Sequence, residues 1–302
     1  MLTPAVFCAF PCAKPECYNT IAIKKESGVM DRMIELCTTD IQKRLDLPAE
    51  AWLPCKAIEL PEAERIILDS DWQTAQRFLA RRSSLEILRI YVSLLPRVRS
   101  RYDALGIPED IFWDGVRDIE IWAKEHQKRF GSSGLDAWPW VAKTLRMEVF
   151  RLGRLQFEPV ISEAGLYSAT ACFPRGTALL NVHIPAGERL RENEVRESLR
   201  RARPFFREAL NFEAQAMHCR SWLLSPVLQE LLPEESGILR FQAMFEIYAT
   251  AESHQAEERV FGRVENKPQD YPQDTLLQRR MREYLLSGKT IGVGMGVAKE
   301  NL

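Results

Sequence analysis

The sequence has no surplus of either charge: 41 Lys and Arg stand against 42 Asp and Glu in 302 residues. Without excess positive charge there is no electrostatic footprint for a phosphate polymer, and the same balance argues against an anionic membrane surface. No apolar run approaches the ~18 residues that a membrane span needs, and the N-terminus lacks the basic start and long apolar core of a secretory signal. These absences point to a cytoplasmic protein that binds neither nucleic acid nor membrane. Histidine is scarce as well, four in all, with none before His126. That bears on the cysteines, because five of the seven (Cys8, Cys12, Cys17, Cys37 and Cys55) crowd into the first 55 residues. Their spacing matches no zinc knuckle and no imidazole is near, so no metal site is expected. Cytosolic thiols stay reduced, and Cys37 falls on the apolar stripe of a predicted helix, where a thiol packs as a small hydrophobe. Residues 1–17 read as a poorly ordered extension.

What is present is enough for a large core, since hydrophobic residues make up 46% of the chain, and the length favours two domains. From Gly28 to about Phe130 the apolar residues recur with a helical period. Met30, Met33, Ile34, Cys37, Ile41 and Leu45 form one stripe; Trp72, Ala75, Phe78 and Leu79 a second; Leu85, Leu88, Val92 and Leu95 a third, which Pro96 should kink or end; Phe112, Val116, Ile119 and Ala123 a fourth, entered through Pro108. The Gly/Ser cluster at 129–137 marks the expected boundary between an all-helical domain, 18–133, and a second domain, 134–302.

After one more helix, carrying Leu135, Trp138, Val141, Leu145 and Val149, the period changes to two. "RLGRLQFEPV", "GLYSATACFP" and "ALLNVHIP" predict three consecutive strands in an antiparallel meander. A long helix follows with Val195, Leu199, Ala202, Phe206 and Ala209 in register, then a strand-like "FEAQAMHCRSWLL". Ser225-Pro226 opens a short helix. "ILRFQAMFEIYATA" and "ERVFGRV" read as strands, and the chain closes with a helix stopped at Gly288 and a Gly-rich strand. The order β-β-β-α-β-α-β-β predicts an α+β fold, a mixed sheet flanked by helices.

That order resembles the GNAT acyltransferase superfamily. At closer range "RLGRLQFE", "LNVHIP", "SLRRARPFF", "CRSWLLSP" and "DTLLQRRMREYLLSGK" resemble a bacterial family of two-domain acyltransferases, with a helical N-terminal domain joined to a GNAT-like C-terminal domain. The resemblance covers roughly residues 18 to 298. It implies transfer of an acyl group from acetyl-CoA or another acyl-CoA to a small-molecule or peptide amine, by direct attack on the thioester. The donor would enter where two strands splay, with its pyrophosphate at the turn into the long helix, along Val182, Ile184, Gly187, Glu188, Arg189 and Arg191. Helix N-termini suit phosphate because their first N–H groups lack partners, and Arg189 and Arg191 add charge at that mouth. Two features depart from the superfamily pattern: the turn "HIPAGERL" has a single glycine, and "PVLQELLPEES" lacks the tyrosine that often protonates the leaving thiolate.

Such a transfer needs a base for the amine. Alternation puts Glu158 beside Gln156 and Arg154 on one strand face and His183 beside Asn181 on another, so the two faces can meet as one polar patch; the alternative is a face that is simply wetted. His183, with an ordinary pKa of about 6.5, suits the base. Cys219 and Ser221 share the opposite face from His218 and Arg220, so a covalent Cys219 would need His183 from across the sheet. Trp222 reads as core, and the arginines from Arg196 to Arg207 as a solvated helix face. "GVGMGV" is no dinucleotide fingerprint, because no helix follows it. Two alternatives to a transferase stay open: a silent GNAT-like module that binds acyl-CoA or a protein partner, and a hydrolase using Cys219 or Ser221, for which no nucleophile elbow exists.

Overall fold

The computed structural model describes residues 39–54, 59–167 and 172–300. The expectations for residues 1–17, for the stripe from Met30 to Cys37 and for Cys55 lie outside them. Helices α1 Leu60–Glu64, α2 Trp72–Leu79, α3 Ser84–Ala104, α4 Glu109–Phe130 and α5 Trp138–Leu145 make up the first half. Local chemistry fixes their ends. Ser83 and Glu86 close a capping box at the start of α3, and Gly131, at φ 68°, ends α4 in the left-handed region that glycine tolerates. Pro96 does not end α3, which continues to Ala104. Leu94, Leu95, Pro96 and Val98 are all buried, so packing outweighs the roughly 3 kcal/mol that an interior proline costs.

The second half is built on one sheet, ordered β1-β2-β5-β6-β8-β7. Its strands are β1 Phe150–Leu152, β2 Leu155–Ile161, β5 Ala178–His183, β6 Ala216–Ser221, β7 Phe245–Ala251 and β8 Val293–Ala298. "RLGRLQFEPV" is thus a tight hairpin rather than one strand, turning at Gly153 with φ 76°. The expected meander is also corrected: β2 pairs directly with β5, while β3 Leu166–Tyr167 and β4 Cys172–Phe173 form their own hairpin. Leu166 and Phe173 of that hairpin pack over Leu179, Ala216 and Val297, so the segment covers the sheet instead of extending it.

Helices α6 Glu192–Leu210, α7 Leu228–Leu231, α8 Gly237–Gln242, α9 Gln255–Phe261 and α10 Leu276–Leu286 complete the fold. Two predicted strands are corrected here. The start of "ILRFQAMFEIYATA" is α8, and "ERVFGRV" belongs to α9 and its exit, because Ala256 and Phe261 reach one apolar cluster with Leu228, Met281 and Leu285 and Gly262, at φ 77°, ends the helix.

Alternation sorts the sheet into two faces. Leu155, Phe157, Leu180, Val182, Met217 and Cys219 join the main core with Val195, Leu199, Ala202 and Phe206 of α6. That core continues without a break into α3, α4 and α5. The other face carries Gln156, Glu158, Asn181, His183, His218 and Arg220, brought side by side by the register Gln156↔His183, Glu158↔Asn181 and Asn181↔His218. Helices α4 and α5 roof this polar face.

Candidate active site

A cavity of about 2250 Å³ lies between that roof and the sheet, larger than the ~300–1,000 Å³ of a usual ligand pocket. Its size suits a long donor and a second substrate together. At its floor the strands part. β5 and β6 pair in parallel through Asn181↔His218, yet β5 runs on to His183 and β6 to Ser221. Beyond His218, β6 stays bonded only to β8. The divergence leaves backbone N–H and C=O groups of both strands facing a gap, where an extended chain can add hydrogen bonds.

Beside the gap the polar patch is closed by residues from the roof. Glu158 Oε1 accepts from Lys143 Nζ of α5 at 2.5 Å, and Glu158 Oε2 lies 3.0 Å from His183 Nε2. The edge of Trp140 meets the His183 ring at 4.8 Å between centroids. Trp140 Nε1 donates to Asp118 Oδ2 at 2.9 Å, and Gln156 Nε2 donates to the same oxygen at 2.6 Å. Burial alone would raise the Glu158 carboxyl, but the His183 hydrogen bond and the Lys143 and His183 charges outweigh it and hold it at about 2. Glu158 is therefore ionised at neutral pH and acts as an acceptor. His183 Nε2 then carries the proton, and its Nδ1 lone pair is left to take another. The patch is thus not a wetted face but a covered, organised cluster.

A second imidazole flanks the gap from β6. His218 Nδ1 lies 3.3 Å from Asn181 Oδ1 and Nε2 lies 3.0 Å from the Tyr248 hydroxyl. Tyr248 reaches it from a β-bulge, the register shifting between Ile247 and Ala249, a device that re-aims a side chain. Burial, then the charges of Arg220 and His183, push His218 down to about 4 from its ordinary 6.5. The folded state keeps His218 neutral where the unfolded chain would protonate it, so this contribution to stability is complete above pH 6.5 and lost as the pH falls toward 4. We expect denaturant unfolding of the wild type to lose on the order of 2 kcal/mol across that window, and His218→Asn to flatten the slope. Glu158 acts in a lower window, its contribution present above 4.5 and lost toward 2, so the two are separable.

The predicted donor residues line the same cavity. Val182 is buried on the core face, so only its backbone faces the gap, whereas Ile184, Gly187, Glu188, Arg189 and Arg191 reach the cavity wall. Gly187 has φ 91° and a Cβ there would meet open space, so glycine serves the turn's conformation rather than close approach of a ligand. Two arginines from the β1–β2 hairpin brace the turn. Arg151 pairs with Glu188 at 3.0 Å, and Arg154 donates to the Glu188 and Arg189 carbonyls at 2.7 and 3.1 Å. Each keeps one buried Nη1 without a partner among the described residues. No side chain caps α6 at Arg191, so its first N–H groups remain open to an anion.

Two predicted catalytic residues are not brought to the chemistry. Cys219 lies in the core, fully enclosed, and burial raises its thiol far above the usual range, which removes the thiolate a nucleophile needs. Ser221 reaches the cavity edge, but its hydroxyl accepts the Leu223 N–H at 3.2 Å and caps the turn after β6. Asp118, Trp140, Lys143 and Tyr248 were not anticipated from sequence. Asp118 alone left a trace, a charge seven residues after Ile111 on the stripe that α4 buries.

A helical roof over a mixed sheet with two splayed parallel strands is the architecture of a GNAT-type acyltransferase. Residues 29–147 match the N-acyltransferase N-terminal domain and residues 149–298 the GNAT-like C-terminal domain, and the chain belongs to the acyltransferase family that joins these two domains. None of the curated proteins matches the chain. Among solved structures it is similar to an acyltransferase in complex with decanoyl-CoA, at 24% identity over 86% of both chains and a TM-score of 0.68. It is similar to an acyltransferase in complex with decanoyl-CoA and teicoplanin, at 23% identity over 87% of both chains and a TM-score of 0.69. A third likeness, to an acyltransferase mutant with octanoyl-CoA, has 22% identity over 87% of this chain and 88% of that one, with a TM-score of 0.68. At these identities the likeness establishes the fold. No helix among the described residues is long and apolar enough to cross a membrane.

Proposed function

We propose that the chain is an acyl-CoA-dependent N-acyltransferase in which an amine attacks the thioester directly. The observation that carries this is the parting of β5 and β6 after Asn181 and His218, which opens onto a cavity holding an oriented imidazole on one side and an uncapped helix N-terminus on the other. The pantetheine arm lies in the gap and takes the unmade strand hydrogen bonds. The pyrophosphate meets the first N–H groups of α6, Arg189, Arg191 and the free Nη1 of Arg154. Decanoyl-CoA and octanoyl-CoA in the similar structures and the size of this cavity favour a medium-length acyl donor. A cytosolic setting, where acyl-CoA and reduced thiols coexist, belongs to the same reading.

In the reaction the amine nitrogen bonds to the thioester carbon, its surplus proton passes to His183 Nδ1, and the C–S bond breaks. Glu158 fixes the imidazole tautomer and Lys143 balances the carboxylate. The leaving thiolate takes the phenolic proton of Tyr248, which regains one from water. Tyr248 is the one tyrosine among the described residues that lines the cavity, and burial raises its hydroxyl above the usual value, keeping it protonated at neutral pH. A thiolate with a parent pKa of about 8.5 already leaves readily. Tyr248→Phe is therefore expected to lower kcat only about 10- to 100-fold, below the full range of general acid catalysis, with thiol release as the readout.

Thermal unfolding with CoA, acetyl-CoA and decanoyl-CoA tests the reading as a whole. A donor at a hundred times its Kd should add about 2.7 kcal/mol. Failure of every CoA to shift the transition sinks the reading; a shift without thiol release across a broad amine panel would favour a silent binding module instead.

A further inference from the structure

Outside the 185–191 turn, two further arginines line the cavity without an ion pair among the described residues. Arg220 projects from β6 on the polar face, close enough for its charge to depress His218. Arg259 projects from α9 and lies over the Trp122 ring of α4, with Cζ 5.6 Å from the centroid. Both line the cavity, and neither joins an ion pair among the described residues. Glu258 acts on Arg259 only at a distance, while burial in the concavity lowers the Arg259 guanidinium below its usual range.

Of the rim's cations some are paired, while Arg189 and Arg240, like Arg220 and Arg259, join no ion pair among the described residues. Lys143 is paired with Glu158, Arg191 with Glu194 and Arg196 with Glu192. Arg220 and Arg259 are both accessible from the cavity, and their N–H donors are available to an anion bound there. The donor's phosphates are already served elsewhere. Arg189 and Arg191 stand at the α6 turn, and Arg240 is carried there by α8, whose Gly237 packs so closely that a Cβ would lie 2.5 Å from the Leu190 carbonyl. Arg220 and Arg259 belong instead to β6 and α9, outside that turn, and are left for the second substrate.

We propose that Arg220 and Arg259 bind a carboxylate on the acceptor, so that the acceptor is an amine bearing a carboxylate, of the amino-acid or peptide class. The planar guanidinium of Arg259, lying over the Trp122 ring, offers a carboxylate two parallel N–H donors, which a lysine could not. Trp122 and Trp140 supply apolar walls for the rest of the molecule. The proposal rests on the acyltransferase reading, because it takes the α6 turn as the donor's phosphate site.

The test uses product-like ligands that differ only in that charge. Full-length protein saturated with CoA is titrated with N-decanoylglycine and with N-decanoylglycinamide, and thermal unfolding is followed. The acid is expected to bind at least about 10-fold more tightly than the amide, as charge-assisted hydrogen bonds require. Arg220→Gln and Arg259→Gln should each reduce that preference while the shift given by CoA alone stays at the wild-type value. Equal shifts with acid and amide, or no shift with either, would overturn the proposal. So would a loss of the CoA shift in either variant, which would assign these arginines to the donor. Failure of CoA to shift the wild-type protein is a separate result and sinks the acyltransferase reading itself.

Discussion

His183→Ala is expected to lower kcat by about 10²- to 10⁴-fold, the range that a positioned general base contributes, while leaving the thermal shift with acyl-CoA in place. The separation follows from the geometry. His183 contacts Glu158 and Trp140, and none of the groups assigned to the phosphates depends on it. Its ring is half-buried rather than enclosed, so truncation leaves a small void and little instability. Glu158→Gln provides the partner experiment. The amide keeps the shape but cannot bear the charge that fixes the His183 tautomer, and it leaves Lys143 without its counter-ion. We expect a smaller loss of kcat than for His183→Ala, together with reduced stability at neutral pH. Turnover unchanged in His183→Ala would remove this residue from the chemistry and move the base to His218, which is held neutral on the other side of the gap.

How this site was written in the sequence differs from residue to residue. Glu158 and His183 were legible because alternation within a strand is set by backbone geometry alone. Their pairing needed only β2 to lie against β5, and it does even though β3 and β4 leave the sheet. The long helix and its entry turn were legible for the same local reason. Lys143, Trp140 and Asp118 were not, since a helical period tells which face is buried and not what it is buried against. Tyr248 was hidden by a bulge, which breaks the rule of two by one residue. Cys219 shows the opposite failure: its chemical type suggested reactivity, while its place in the core, beside Val182 and Met217, removes it. The segment "ERVFGRV" carried strand-forming residues, but apolar contacts with α7 and α10 were worth more than propensity.

Phe150→Ala is expected to cost about 3–5 kcal/mol, the usual loss for truncating a buried aromatic ring, and the consequence should reach the active site. Phe150 is fully buried at the point where the two halves meet. Its ring centroid lies 5.8 Å from Tyr102 of α3, and 5.3 and 5.7 Å from Phe205 and Phe206 of α6. Tyr102 in turn packs edge-on against Phe112 of α4 at 5.5 Å. One ring therefore couples α3 and, through Tyr102, the helix α4 that carries Asp118 to β1 and α6 of the sheet half. Against a total stability of about 5–15 kcal/mol such a loss is large, and for a chain of 302 residues unfolding as one unit it corresponds to a fall in Tm of roughly 5–8 °C. Phe150→Leu, which keeps most of the volume, should lose well under half as much. If the halves fold as one unit, calorimetry will show a single transition displaced by that amount. Two transitions with only one displaced, or a shift below about 2 °C, would mean that the roof is not held by this cluster. The registry of Lys143 and Trp140 with His183 would then come from the polar contacts alone, and folded Phe150→Ala would keep His183 in place and retain its turnover.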